Sequence, residues 1–373
     1  METITGTFST ARVFSETAEQ YALAQVKAIC DNEVSANSRI CVMPDVHPGK
    51  VAPIGLTMTI GKRILPYLVG IDIGCGMTTA RISKHRGLEF KKLDTVIRER
   101  VPSGFALQKS PHRFSDDFDF SRLECAAHVC KEKAALSLGT LGGGNHFIEI
   151  DAGDSGDYYI TVHSGSRHLG KAVAEFYLNE GRKVLRSRGE DIPYELIYIE
   201  EKLMASYLSD VAVVQDFAAL NRLAIIDEIA KGMKWKIEEP ISCIHNYVDF
   251  RTENLILRKG AVSAQKDENV IIPINMRDGI ILGKGKGNAD WNYSAPHGAG
   301  RILKRGDVKA RFTVSAFKSA MKGIYSSCIS KGTLDEAPFA YRGIDEILAA
   351  IEPTVSGTRI LKPVYNFKAE AEE

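Results

Sequence analysis

Five of the nine histidines in this 373-residue chain, His47, His146, His163, His245 and His297, lie in Gly-, Asn- or Ser-rich turns or at the edges of short apolar runs. Strand ends are rigid, and rigid supports are what metal ions and reacting groups need. A lone histidine at such a place is most often structural. Five placed alike point to strands whose ends converge on one site.

The pattern between these histidines supports that architecture. Residues 39–43, 56–60 and 67–71 read as strands, as do 146–150, 158–163 and 241–245. A capping box of Thr17 and Gln20 predicts a helix start near Thr17, with Ala22, Val26, Ile29 and Cys30 on one face. Helical character is also expected in the second half of 84–100, over 121–138, around 170–188, over 195–232, from about 298 onward and over 344–351. No repeat, low-complexity run or linker interrupts the chain. The expectation is one α+β domain over residues 1–373, a mixed sheet surrounded by helices with a metal centre at strand ends.

The composition, 44% hydrophobic and 25% charged, is that of a globular protein. No run of about 18 consecutive apolar residues occurs. The N-terminal METITGTFSTARVFSE lacks a basic segment followed by an apolar one, so a cytoplasmic protein without a membrane partner is expected. The seven cysteines are odd in number, widely spaced and contain no CxxC pair, which argues against a disulfide framework. A net charge of +1 is neutral about nucleic acid. Residues 301–322 are locally basic: Arg301, Lys304, Arg305, Lys309, Arg311, Lys318 and Lys322 stand against Asp307. Such a run is either a solvated helical face or a phosphate-binding surface.

Two motifs carry chemistry. In DIGCG (72–76), Asp72 and Cys75 share one tight loop after an apolar run. Thiolate and imidazole suit the same borderline divalent ions, and one thiolate can bridge two. A buried cysteine in a capped turn explains this motif equally well when it is read by itself. In SAPHGAGR (294–301), the glycines allow close backbone approach to a ligand. Here His297 is a candidate nucleophile, base or ligand, and Arg301 a phosphate clamp.

Together with MPDVHPGK (43–50), VGIDIGCGM (69–77), LGGGNHFIEI (141–150), HSGSR (163–167), QDFAALNR (215–222), HNYV (245–248) and RKGA (258–261), these motifs resemble the RtcB family of RNA ligases, in the family's order from about residue 40 onward. The resemblance implies a GTP-dependent ligase with two Mn²⁺ per active site. Such an enzyme joins an RNA 2′,3′-cyclic phosphate or 3′-phosphate end to a 5′-hydroxyl end, through histidine–GMP and RNA-3′-diphosphate-guanosine intermediates. It implies His297 as the guanylylated residue and Cys75 as bridging metal ligand, with Asp72, His146, His163 and His245 completing the metal set. Asn145, Glu149, Asn246, Asn275, His297, Gly298, Ala299, Gly300, Tyr341 and Lys368 are implied for GTP. Arg167, Arg301, Lys304 and Arg305 are implied for RNA or phosphate. Broken or spliced tRNA or rRNA ends and an archease-like activator are the implied partners.

Two departures stand out. The run IPINMRDG (272–279) has Asn275 and Arg277 where the family usually has a serine and a glycine, and His168 follows HSGSR where glycine is common. Both resemble a branch of short paralogues, some associated with a release-factor homologue. Arg277 is expected to meet either the triphosphate or an RNA phosphate, the plain alternative being a surface arginine paired near Asp278. Two other readings compete with ligation: a metal-dependent enzyme that only processes cyclic-phosphate ends, and a non-catalytic RNA- or ribosome-binding protein.

Overall fold

The computed structural model describes residues 1–85 and 87–369, and the fold is α+β. Among these residues two sheets position the site. The six-stranded one runs Glu2–Thr5, Thr10–Val13, Ile40–His47, Ile54–Thr59, Ile256–Lys259, Asn246–Asp249. The eight-stranded one is ordered Lys236–Ile237, Gly76–Lys84, Tyr158–Ser164, Phe147–Ala152, Val355–Lys368, Gly279–Gly285, Asn269–Asn275, with Ile241–Ile244 also paired to Gly76–Lys84.

Register brings the histidines together. Met77 and Phe147 flank His163 on either side, and Ile244 opposes Gly76. The chain then leaves the large sheet at His245 and enters the small one at Asn246, so His245 stands where the sheets meet. Its amide donates to the Cys75 carbonyl at 2.8 Å and its carbonyl accepts from Gly260 at 2.7 Å, which fixes the crossing on both sides.

The helix Glu201–Met233 packs under both sheets. Its length and a mean hydropathy of 1.2 would suit a membrane by composition. It is instead a core helix with buried polar residues that bond to neighbouring loops. Gln215 accepts from the Val248 amide at 2.9 Å. Asn221 accepts from the amides of Gly139 and Thr140 and donates to the Gly165 carbonyl at 3.0 Å. Arg222, 0% exposed, donates to the carbonyls of Gly74 (2.9 Å) and Ser164 (3.0 Å) and to Thr78 Oγ1 (3.0 Å). The motif QDFAALNR is therefore a set of clamps on the loops that carry the histidines.

Several expected elements differ. Residues 67–71 are not a strand: Pro66 opens a one-turn helix, Pro66–Val69, its fixed φ suited to the first helical position. Thr17 does not cap the first helix, Gln20–Cys30; its hydroxyl accepts from Arg342 at 2.9 Å. The helix expected over 121–138 survives only as Lys131–Ser137. Buried Asp210 accepts from the amides of Glu124 (2.6 Å) and Cys125 (3.1 Å) and holds that stretch in 3₁₀ turns. The helix expected from about 298 or later does start later, at Arg305, because residues 298–304 run along the site and Arg301 bridges to Tyr341.

Candidate active site

Cys75, His146, His163 and His245 are each at most 5% exposed and converge at the junction of the sheets. The Cys75 Sγ lies 3.4 Å from Nε2 of both His146 and His163. The Nε2 atoms of His163 and His245 are 3.3 Å apart, and Asp72 Oδ2 is 3.2 Å from His146 Nε2. The outward nitrogens decide the tautomers. His146 Nδ1 donates to the Leu141 carbonyl at 2.9 Å and His163 Nδ1 to the Asn145 carbonyl at 3.2 Å. Their Nε2 lone pairs therefore face inward, the arrangement that orients imidazoles toward a metal ion.

Electrostatics agree with this. Burial holds the His163 imidazole well below its ordinary pKa. Burial likewise keeps His245 neutral, aided by His297. Burial and the adjacent Asp72 push the Cys75 thiol up. The neutral imidazoles of His163 and His245, with the His146 ring, a carboxylate and a thiol aimed at one centre, fit a borderline divalent ion, which would draw the thiol proton off. Asp72 gets this close because Gly165 has no side chain: a Cβ there would stand 2.0 Å from Asp72 Oδ1.

A pocket opens directly above. His297 forms part of its wall, its ring centroid 4.9 Å from that of His245. The His297 Nδ1 is 2.7 Å from Asp45 Oδ2, which also accepts from the His297 amide at 3.2 Å. Asp45 is 0% exposed, on the Ile40–His47 strand. The two segments touch because Gly300, at φ 71°, has no Cβ; one would sit 2.9 Å from the Asp45 carbonyl.

The far wall is charged. Glu336, 3% exposed, accepts from Lys368 Nζ and Tyr341 Oη at 2.5 Å each. Arg305 lies 2.6 Å and Arg301 3.4 Å from its other oxygen. Burial works against ionisation of Glu336, yet Lys368, Arg305 and Arg301 outweigh it and hold the carboxyl at about 2. Glu149 accepts from the Asn366 side chain, and burial pushes its carboxyl up.

Of the residues expected at a nucleotide, the pocket gathers Asn145, Glu149, Asn275, His297, Gly298, Ala299, Gly300, Tyr341 and Lys368. Asn246 is not in its wall; its Oδ1 accepts from the Gly260 amide at 3.0 Å. Arg301 lines the pocket, but its guanidinium donates to Tyr341 Oη (3.0 Å), the Asp335 carbonyl (2.5 Å) and the Leu303 carbonyl (3.2 Å). Arg167 and Arg305 line a neighbouring cleft, Arg305 sharing both, and Lys304 is exposed outside either. Arg277 takes the plain alternative: it is not in the pocket wall and pairs with Asp278 at 2.8 Å, and Asn275 donates to that same carboxylate at 2.8 Å.

The sequence reading assigned no part to Asp45, Phe147, Glu336 or Asn366. Asp45 and Phe147 do lie inside the quoted runs MPDVHPGK and LGGGNHFIEI. Glu336 and Asn366 have no such signal.

The family model described as tRNA-splicing ligase RtcB matches residues 25–129 and 117–369. The chain is 32% identical over 368 residues to RNA-splicing ligase RtcB of Escherichia coli (strain K12), covering 88% of this chain and 90% of that protein. It is 29% identical over 372 residues to RNA-splicing ligase RtcB2 of Escherichia coli (strain ATCC 25922), covering 88% of each. To tRNA-splicing ligase RtcB of Nanoarchaeum equitans it is 26% identical over 397 residues, covering 82% and 83%.

Proposed function

The chain belongs to the RtcB family, and from that membership we propose that it is an RNA ligase acting in tRNA splicing or RNA repair. In the finer reading it uses GTP and Mn²⁺ to join RNA 3′-phosphate or 2′,3′-cyclic phosphate ends to 5′-hydroxyl ends, with residues 1–373 as one ligase domain.

The observation that carries this is the His297–Asp45 pair set beside the buried Cys–His cluster. With Nδ1–H donated to Asp45, the Nε2 lone pair of His297 is free to attack. It attacks the α-phosphorus of GTP; an N–P bond forms, and the bond to the pyrophosphate oxygen breaks. Asp45 stabilises the positive charge that grows on the ring. An oxygen of the RNA 3′-phosphate then attacks the same phosphorus and the N–P bond breaks, returning the electron pair to His297. The 5′-hydroxyl of the second RNA attacks the 3′-phosphate and GMP leaves, closing the phosphodiester. Two Mn²⁺, held by Cys75, Asp72, His146, His163 and His245, would offset phosphate charge during these in-line displacements.

The pocket wall suits guanine. A carboxylate such as Glu149 accepts from the N1–H and 2-amino groups, and an ammonium such as Lys368 donates to O6. Phe147, whose ring lies 5.6 Å from Lys368 Nζ, offers an apolar surface for the base.

Incubation with Mn²⁺ and α-labelled GTP tests the reading. Acid-labile, base-stable label is expected on the protein and absent from His297→Ala. Absence of label with cyclic-end opening intact would favour an end-processing enzyme instead.

A further inference from the structure

Phe105 is the most exposed large apolar side chain among the described residues, at 84%. Exposed phenylalanines scattered on a surface need no explanation. This one is held in place beside a cleft that opens next to the nucleotide pocket.

The turn that carries it is fixed. The Ala106 amide donates to the Ser103 carbonyl at 3.2 Å, and Gly104 takes φ 64°, a left-handed value that turns the chain outward just before Phe105. The Gly104 amide donates to the Gly142 carbonyl at 3.0 Å, the Leu141 amide to the Pro102 carbonyl at 2.8 Å, and Arg167 to the Gly104 carbonyl at 2.6 Å. The apex is thus tied to the same glycine-rich segment that leads into Asn145 and His146.

The cleft beneath Phe105 is lined by Gly143, Gly144, Arg167, Arg305, Lys309 and Asp335. Its charge is positive despite the acid. Arg167, Arg305 and Lys309 stand against Asp335 in its lining, three cations against one carboxylate, a surplus of two. Asp335, which pairs with Arg305 and Lys309, is 1% exposed, while Arg305 and Lys309 keep 48% and 42% of their side chains in solvent. The acid holds these two cations in place from below and leaves their charge facing out. Backbone at two glycines adds a floor that a phosphate can approach closely.

A fixed exposed aromatic over a positive, glycine-floored channel is the combination that binds unpaired nucleotides: bases stack on the ring while cations track the backbone. We infer that the cleft between Phe105 and Lys309 is a subsite for the single-stranded end of one RNA substrate, with Phe105 stacking on an unpaired base near the reacting end. This rests on the ligase reading for the identity of the RNA. The physical case, aromatic plus surplus cations leading to the histidine cluster, stands by itself. Because stacking needs an unstacked base, the subsite selects frayed or looped ends over blunt duplex ends.

The test uses the full chain with Mn²⁺ and two RNAs bearing 3′-phosphate: a single strand with 2-aminopurine near that end, and a blunt hairpin. The wild type should quench the 2-aminopurine on binding. Phe105→Ala should lose the quench and bind the single strand about tenfold more weakly, and Phe105→Trp should restore both. Hairpin affinity should change little in either variant. Lys309→Gln should lower the salt slope of single-strand binding by about one. The rate of guanylylation from GTP should be unchanged in Phe105→Ala, since the ring is outside the nucleotide pocket. Unchanged single-strand affinity and quench in Phe105→Ala would overturn the inference and leave the ring to a protein contact. An equal loss for both RNAs would overturn it too. Phe105-dependent binding in a protein that forms no GMP adduct would keep the subsite and reject the ligase reading; an adduct with a silent Phe105 would do the reverse.

Discussion

Asp45 Oδ2 is 2.7 Å from His297 Nδ1, and the same oxygen accepts from the His297 amide, so one fully buried carboxylate sets both the position and the tautomer of the ring. Asp45→Asn keeps the shape but can donate to Nδ1, which would leave the proton on Nε2 and the reactive lone pair turned away. Guanylylation should fall by about 10²- to 10⁴-fold. Bound manganese, measured by elemental analysis, should be unchanged, because Asp45 is not among the converging cluster residues. Adduct formation at the wild-type rate would show that the carboxylate is only packing.

Cys75→Ala removes the thiol that touches two histidines at once. The purified variant should hold well under one Mn²⁺ per chain and form no adduct. In EDTA, where both proteins are metal-free, its stability should lie within about 1 kcal/mol of wild type, the usual size of a small core change. Full manganese content with normal activity would remove Cys75 from the metal centre.

Glu336→Gln breaks a buried pair and takes the carboxylate from Lys368 and Arg301, Arg305 keeping Asp335. Loss of one partner of a buried ion pair costs about 3–5 kcal/mol. The pH dependence has a definite sign. The Glu336 carboxyl is lowered from 4.5 to about 2 in the folded protein, so its stabilisation is present above 4.5 and is lost as pH falls toward 2. The stability gap between wild type and Glu336→Gln, read by urea denaturation, should be full at pH 7 and shrink through pH 4 and 3. A gap independent of pH would mean that the ionised carboxylate is not what stabilises the wall.

Arg277→Ala should alter neither guanylylation nor sealing by more than about twofold, and stability by less than about 1 kcal/mol, since an exposed ion pair to an adjacent residue contributes little. The side chain is 49% exposed and held to Asp278, while the neighbouring Asn275 and Met276 face the pocket. A tenfold loss in either step would show that Arg277 swings inward when substrate binds.

The metal-type residues were legible because each stands in a short turn of Gly, Asn or Ser, where local sequence nearly dictates exposure of the chain end to a shared centre. Cys75, His146, His163 and His245 are brought within contact as that pattern implied. Glu336 and Asn366 were not legible, because their neighbours are set by pairings far apart in sequence: Asn366 meets Glu149 only through the register of Val355–Lys368 on Phe147–Ala152. The misread elements have the same origin. Four apolar residues after Pro66 suit strand or helix alike. Residues 121–138 carry a helical pattern that Asp210, more than 70 positions later, overrides by taking two of its amides.

The Val355–Lys368 strand lies inside the eight-stranded sheet, between Phe147–Ala152 and Gly279–Gly285, although it follows every other described strand in the chain. During synthesis the two halves of that sheet therefore wait with unpaired inner edges until this strand leaves the ribosome. Edge pairing is hazardous while it lasts, and non-local closure is slow. The same strand carries Asn366 and Lys368, so the charged pocket wall and the finished sheet arise in one event. A nascent chain stalled short of it has neither, which delays any catalytic competence until translation has passed residue 368.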